Sequence, residues 1–170
     1  MKLPRLLSEN KGYTLTEVMI VVSLIAIMSS VGYSGFSSMH KRHKVRSTAY
    51  EFGGYLKEIR MKAVEKCCSY FIDFSGVQYT IYMDADGDNT LDPDIDVVFR
   101  EVDLAKVDPD ITVETDGFPM SFNSKGMPAL GGGGFGNGSV IYRNDAIGFN
   151  VTVTIARLGR VTIAESSEQF

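Results

Sequence analysis

The sequence is short of the residues from which catalytic centres and disulfide frameworks are made. Its 170 residues include two cysteines and two histidines. Cys67 and Cys68 are adjacent, and adjacent cysteines bond only through a strained ring, so no ordinary intrachain bridge is expected. They stand either as free thiols or as a thiol bridging to another subunit in an oxidising compartment. His40 and His43 lie three residues apart in a basic segment, with no carboxylate pocket beside them for acid–base work. No serine occupies a nucleophile elbow, and no Cys/His pair is arranged for acyl transfer. An enzyme is therefore not expected. The glycine run 131–138 lacks the lysine and following helix of a phosphate-binding loop, and is expected as flexible surface chain too glycine-rich to bury. The length leaves room for one modest domain and an appendage.

Long apolar sequence is equally scarce outside one place. Mean hydropathy is zero, yet nearly all the continuous apolar sequence lies in residues 18–33, and the rest alternates polar and apolar residues as a soluble domain does. The first twelve residues carry +2 (Lys2, Arg5 and Lys11 against Glu9), which leaves −6 for the remainder of a chain whose total is −4. An acidic body argues against nucleic acid as main partner. The basic start followed by an apolar run has the form of an export signal. No small-x-small cleavage site follows the run, so it is expected to be retained. Counted from Leu15 to Phe36 it has 22 positions, enough to cross about 30 Å of hydrocarbon as a helix rising about 1.5 Å per residue. Glu17 lies just inside this stretch, where an unpaired carboxylate is costly and calls for a partner or a function. A plain signal anchor, with Glu17 as an interfacial acid, is the simpler alternative.

The string Gly12-Tyr13-Thr14-Leu15-Thr16-Glu17, with the apolar run behind it, resembles the class III leader junction of type IV pilins and type II secretion pseudopilins. That resemblance implies a leader at 1–12, cleavage by a prepilin peptidase between Gly12 and Tyr13, N-methylation of Tyr13, and a transmembrane and assembly helix at 13–36. For Glu17 it implies pairing with the N-terminal amine of a neighbouring subunit, where two buried opposite charges each offset a cost the other would suffer. Tyr13 stands where phenylalanine is usual and keeps the ring. Ser34 stands where a helix-kinking proline is common, which removes the usual cause of curvature. The implied partners are other pilins or pseudopilins, the peptidase, an inner-membrane assembly platform and the lipid bilayer. The chain would be single-pass in the inner membrane with its globular part in the periplasm, and would then enter a pilus or pseudopilus. Type IV pilus, type II secretion and competence machines share this leader and helix.

Beyond the apolar run the helical pattern continues. Val45, Ala49, Phe52, Leu56, Ile59 and Ala63 recur at spacings of four and three, which makes one stripe along an amphipathic helix expected over 37–66. Gly53-Gly54 weakens that helix by about 1 kcal/mol per glycine, so a bend is conceivable there. The basic string Lys41-Arg42-His43-Lys44 is expected as a positive flank meeting solvent, lipid head groups or a neighbouring subunit. Residues 67–170 read as β-structure, with short strands expected at 69–74, 77–83, 97–102, 111–114, 120–122, 139–142, 149–155 and 160–163. The fold class is thus α+β, a pilin fold in which a long N-terminal helix packs on an antiparallel sheet. The pieces 79–88, 122–126 and 159–163 resemble the globular domain of H-type pseudopilins and of FimT and FimU minor pilins. That implies a minor subunit placed near a filament tip.

Two further clusters have two readings each. Asp84, Asp86, Asp88 and Asp92 occupy positions one, three, five and nine of a loop, with Asp94 and Asp96 behind, and Ca²⁺ favours clustered oxygen ligands. The EF-hand pattern is not met, since glycine comes at position four and Ile95 holds position twelve. The other reading is an acidic turn between strands. Some FimT-type relatives bind DNA through a basic Gly-Arg-x-Arg motif. Here Gly159-Arg160-Val161 is followed by Thr162, so Arg160 and the nearby Arg157 are the only candidates for phosphate contact, in front of the acidic tail Glu165 and Glu168.

Overall fold

The computed structural model describes residues 12–88, 90–131, 134 and 136–167, without the side chains of residues 30–34. Leader residues 1–11, Gly132, Gly133, Phe135, Glu168 and the side chain of Ser34 therefore lie outside the described residues. The chain divides into two units, Met1–Met39 and His40–Phe170. A single helix, α1 (Leu15–Lys66), contributes to both. It starts where Thr14 offers its side chain as a cap: the Glu17 N–H donates to Thr14 Oγ1 at 3.2 Å, satisfying a donor the first turn would leave unpaired. It ends at Cys67, whose φ of 54° is left-handed. A left-handed residue commonly closes a helix, although a β-carbon makes it costlier than glycine.

In the second unit the expected stripe is the spine of the core. Val45, Ala49, Phe52, Leu56, Ile59 and Ala63 are all at 0% exposure. The β-part consists of β1 (Ser69–Ser75), β2 (Gln78–Asp84), β3 (Val97–Asp103), β4 (Thr112–Asp116), β5 (Met120–Phe122), β6 (Pro128–Leu130), β7 (Gly138–Asn144), β8 (Phe149–Ile155) and β9 (Val161–Ser167). A one-turn helix α2 (Leu104–Val107), capped by Asp103, follows β3. The strands form two antiparallel sheets: five strands in the order β3-β2-β1-β5-β6, and four in the order β4-β7-β8-β9. Ser75 and Gln78 close the β1–β2 hairpin around Gly76, which has a positive φ of 64°.

Phe52 joins the two sheets. Its ring meets Phe74 and Tyr79 of the larger sheet at 5.5 and 5.1 Å, and Tyr142 of the smaller sheet at 6.0 Å, all edge-on. One edge strand of each sheet is also tied to α1. On one side Lys62 and Arg100 form cation–π contacts that link the helix with β3, Lys62 over Phe99 at 4.5 Å and Arg100 over Tyr55 at 4.9 Å. On the other, Arg46 donates two hydrogen bonds to Glu165 of β9 at 2.7 and 2.6 Å. Those bonds hold the Glu165 pKa below its ordinary value.

The twin glycines both lie within α1. Gly53 is buried because β9 approaches it so closely that a β-carbon would stand 2.8 Å from Ile163 Cδ1, whereas Gly54 faces open space. The run 131–138 is not all surface: Gly136 and Gly138 are buried, and β-carbons there would meet Leu130 Cδ2 at 2.9 Å and Met120 Cε at 2.7 Å. One antiparallel sheet was expected where two exist, and β6 was not foreseen.

Candidate functional site

The first unit presents its chemistry outward. Gly12 and Tyr13 precede the helix in non-helical backbone, and Tyr13 is 82% exposed. Every described residue from Gly12 to Ser29 is exposed, including Ile20 at 62% and Leu24 at 56%. Glu17 lies in the first helical turn, where the positive end of the helix dipole favours a carboxylate. Its carboxylate takes no hydrogen bond or ion pair among the described residues. A shallow groove beside it is lined by Tyr13, Val18, Val21 and Val22. Among the described residues no helix is long and apolar enough to cross a membrane. The expected span at 13–36 includes positions 30–34, whose side chains are not described, so the described apolar stretch stops at Ser29.

The basic segment is not the free flank expected. Lys41 donates to Asp110 at 2.7 Å, Lys44 lies 3.4 Å from Asp108, and Arg42 sits over the Phe149 ring at 5.7 Å. The bond from Lys41 to Asp110 raises the lysine pKa. Three of the four residues are thus engaged by the body, and His43 stays exposed.

The acidic loop joins β2 to β3 at one edge of the larger sheet. Asp84, Asp86 and Asp88 can each bring one carboxylate oxygen within 4.8 Å of the others. Asp92 is not part of that group. Its N–H donates to Asp96 at 2.9 Å, and Asp96 also accepts from the Ala85 N–H at 3.0 Å, so this one carboxylate pins both ends of the loop. Asp84 accepts from the Gly87 N–H at 2.6 Å, Asp86 from the Asp88 N–H at 3.2 Å, and Asp88 from Thr90. These are the turn bonds that aspartates form with their own backbone. For Asp86 the Asp88 N–H lowers the pKa, but desolvation and the charges of Asp88 and Asp84 outweigh it, so the net direction is up. Tyr82 of β2, two residues before Asp84, is 3% exposed and stacked on Phe71. Its pKa is pushed up to about 12, chiefly by burial and further by Asp73, Asp96, Asp84 and Asp88. The donor set suits a hard cation, since it is all carboxylate oxygen.

Arg157 and Arg160 are exposed on the loop between β8 and β9. What organises that loop is a residue sequence reading passed over. Arg60 of α1 donates through Nη1 to the Gly159 carbonyl at 2.9 Å, through Nη2 to the Leu158 carbonyl at 3.3 Å, and through Nε to the Gly126 carbonyl at 2.9 Å. The guanidinium fork thereby ties the β5–β6 and β8–β9 loops to the helix. Gly126 and Gly159 both have positive φ, and a β-carbon on either would press on Arg60. No local sequence signal marks Arg60, because its acceptors are 66 to 99 residues away. Thr14 was also missed, although Thr-x-x-Glu ahead of an apolar run is a recognisable cap. Cys67 and Cys68 are free thiols, Cys67 exposed.

Comparison with known proteins supplies the motif and the fold independently. Residues 7–33 match the family model described as the prokaryotic N-terminal methylation motif. The minor pseudopilin EpsH from the type 2 secretion system of Vibrio cholerae superposes with a TM-score of 0.53 at 10% identity, over 71% of this chain and 96% of that one. The type IV minor pilin FimU of Pseudomonas aeruginosa gives 0.56 at 17% identity, over 73% of this chain and 90% of its own. This chain has the pilin fold. In motif and architecture the pilin-like chain is similar to H-type pseudopilins and minor pilins, as the leader string and the β-part suggested. No curated protein sequence matches it.

Proposed function

We propose that this chain is a structural, non-catalytic subunit, a minor pilin or pseudopilin that enters a type IV pilus or a type II secretion pseudopilus through its N-terminal helix. What carries the reading is the coincidence of the methylation motif with a helix whose described apolar side chains are exposed through the first unit. Water does not tolerate such a surface on an isolated helix, so lipid or packed helices must cover it. A prepilin peptidase cuts between Gly12 and Tyr13, and Tyr13 receives the methyl group. Before assembly the chain is held in the inner membrane with its body in the periplasm. On extraction into the filament, Glu17 pairs with the N-terminal ammonium of a neighbouring subunit. Replacement of Glu17 by alanine should leave leader removal and membrane retention intact. It should deplete the subunit from purified filaments by about a hundredfold or more, because breaking a buried ion pair costs about 3–5 kcal/mol. Unchanged filament content in that variant would sink the role of Glu17.

The acidic loop, in this reading, folds on its own turn bonds and on Asp96, with no cofactor required. Chelation with EDTA should leave the melting temperature of the body unchanged. A fall of several degrees, restored by Ca²⁺ and absent in Asp86→Asn, would instead assign a cation to Asp84, Asp86 and Asp88.

A further inference from the structure

The two sheets end in four edge strands, β3, β6, β4 and β9. Natural proteins guard such edges with charge, proline, bulges or shortness, because the unpaired N–H and C=O groups invite another strand. Three of the four are guarded. β3 shifts register between its pairings with Ile81 and Tyr82 and displays Arg100 and Glu101. β6 has three residues and opens on Pro128, and β4 has five, with Glu114 and Asp116 exposed. β9 is bare by comparison. Its seven residues pair with β8 without a shift, include no proline, lysine or arginine, and carry one charge, Glu165, which Arg46 holds.

The same strand is held along α1 at three points. Arg60 bonds the Gly159 carbonyl just ahead of it, Gly53 lies under Ile163, and Arg46 bonds Glu165. Arg46, Gly53 and Arg60 are seven residues apart, nearly two turns, so they form one row on the helix. The core stripe lies to one side of that row. To the other side lie Tyr50, Gly54, Lys57 and Met61, again at spacings of four and three, and all four are exposed. Tyr50 is 52% and Met61 66% exposed, and a β-carbon on Gly54 would meet nothing within 4 Å, so a backbone has room to pass there. At its Met61 end the row opens into a groove of about 540 Å³ that Arg60, Val64 and Glu65 also line. A strand laid beside β9 would therefore have an open ladder on one side and an exposed, partly apolar helix face beneath it.

We propose that an extended segment of an unlike subunit adds to β9 as a further strand of the smaller sheet. Its alternate, apolar side chains cover Tyr50, its backbone passes Gly54, and its end enters the groove at Met61 and Val64. Main-chain hydrogen bonds to β9 supply affinity, and the side chains over α1 choose the partner. Because α1 already holds β9 in place, little ordering cost falls on this side of the contact. A like copy has only its own β9 to offer, its other three edges being guarded. The proposal rests on the minor-subunit reading, which puts unlike subunits beside this one.

The test compares amide hydrogen exchange over 161–167 in the full-length chain, alone in bilayer nanodiscs and assembled in purified filaments. Alone, the amides bonded to β8 should be slow and the alternate, outward ones fast. In filaments the outward ones should slow by about tenfold or more. Ala164→Lys puts a guard on the bare edge and should lower filament content about tenfold while leaving urea unfolding of the body unchanged. Thr115→Lys, made on the already guarded β4, should leave filament content as in the wild type. Outward amides equally fast in both samples, or Ala164→Lys chains incorporated like the wild type, would overturn the proposal. So would slowing already present in nanodiscs of the chain alone, which would make a second copy the occupant. A wild-type chain that is unprocessed or absent from filaments overturns the filament reading and this contact with it, whereas a processed chain in filaments with fast outward amides counts against this contact alone.

Discussion

The two stretches of α1 show how little secondary structure says about what stabilises it. In the second unit the helix places six residues at 0% exposure under two sheets. In the first unit the same helical backbone buries none of its described residues up to Ser29. Side-chain pattern accounts for the contrast. Spacings of four and three from Val45 to Ala63 put apolar atoms on one face, which a sheet can cover. The run from Val18 to Met28 is apolar on every face, and only an apolar solvent or several neighbouring helices can cover it. One stretch is made for a core inside the chain and the other for contacts outside it.

The largest effect expected from this contrast comes from one substitution made in each stretch. Leu56→Ala removes a fully buried side chain and should cost about 3 kcal/mol in urea unfolding of the body. Leu24→Ala should not move that transition at all. Equal losses would mean that the first stretch is buried by the body after all, and the comparison would fail.

The glycine pair sharpens the same contrast on a smaller scale. Gly54 faces open space, so Gly54→Ala should raise stability by about 1 kcal/mol through helix propensity. Gly53→Ala has the same propensity to gain, but its new methyl must displace Ile163 Cδ1 from 2.8 Å, so thermal unfolding should show no net gain. A rise of equal size in both variants would mean that β9 does not press on the helix at Gly53.

Much of this was legible before any coordinates. The period of the stripe gave the buried face of α1 residue by residue, and β8 was expected with the bounds it has, because Phe149, Val151, Val153 and Ile155 alternate cleanly. The division into two sheets was not legible, since alternation states which side of a strand is buried and not which sheet it joins. Nor was β6: Pro128-Ala129-Leu130 has no alternation, and the strand exists because β5 pairs with it, Met120 opposite Leu130. In the candidate sites, the methylation motif that contains Gly12, Tyr13 and Glu17 was readable from local order. Asp96 as the pin of the acidic loop, Asp108 and Asp110 as partners of the basic segment, and Arg60 as the tie between two loops all depend on contacts the chain makes only once folded.

The most direct test of the account is the intact mass of the protein recovered from cells with and without a prepilin peptidase. The account predicts loss of residues 1–12 and one added methyl on Tyr13 when the peptidase is present, and the full-length mass when it is absent. An uncleaved chain in both cells, or a cut after the apolar run, would contradict it and leave a body on a plain signal anchor.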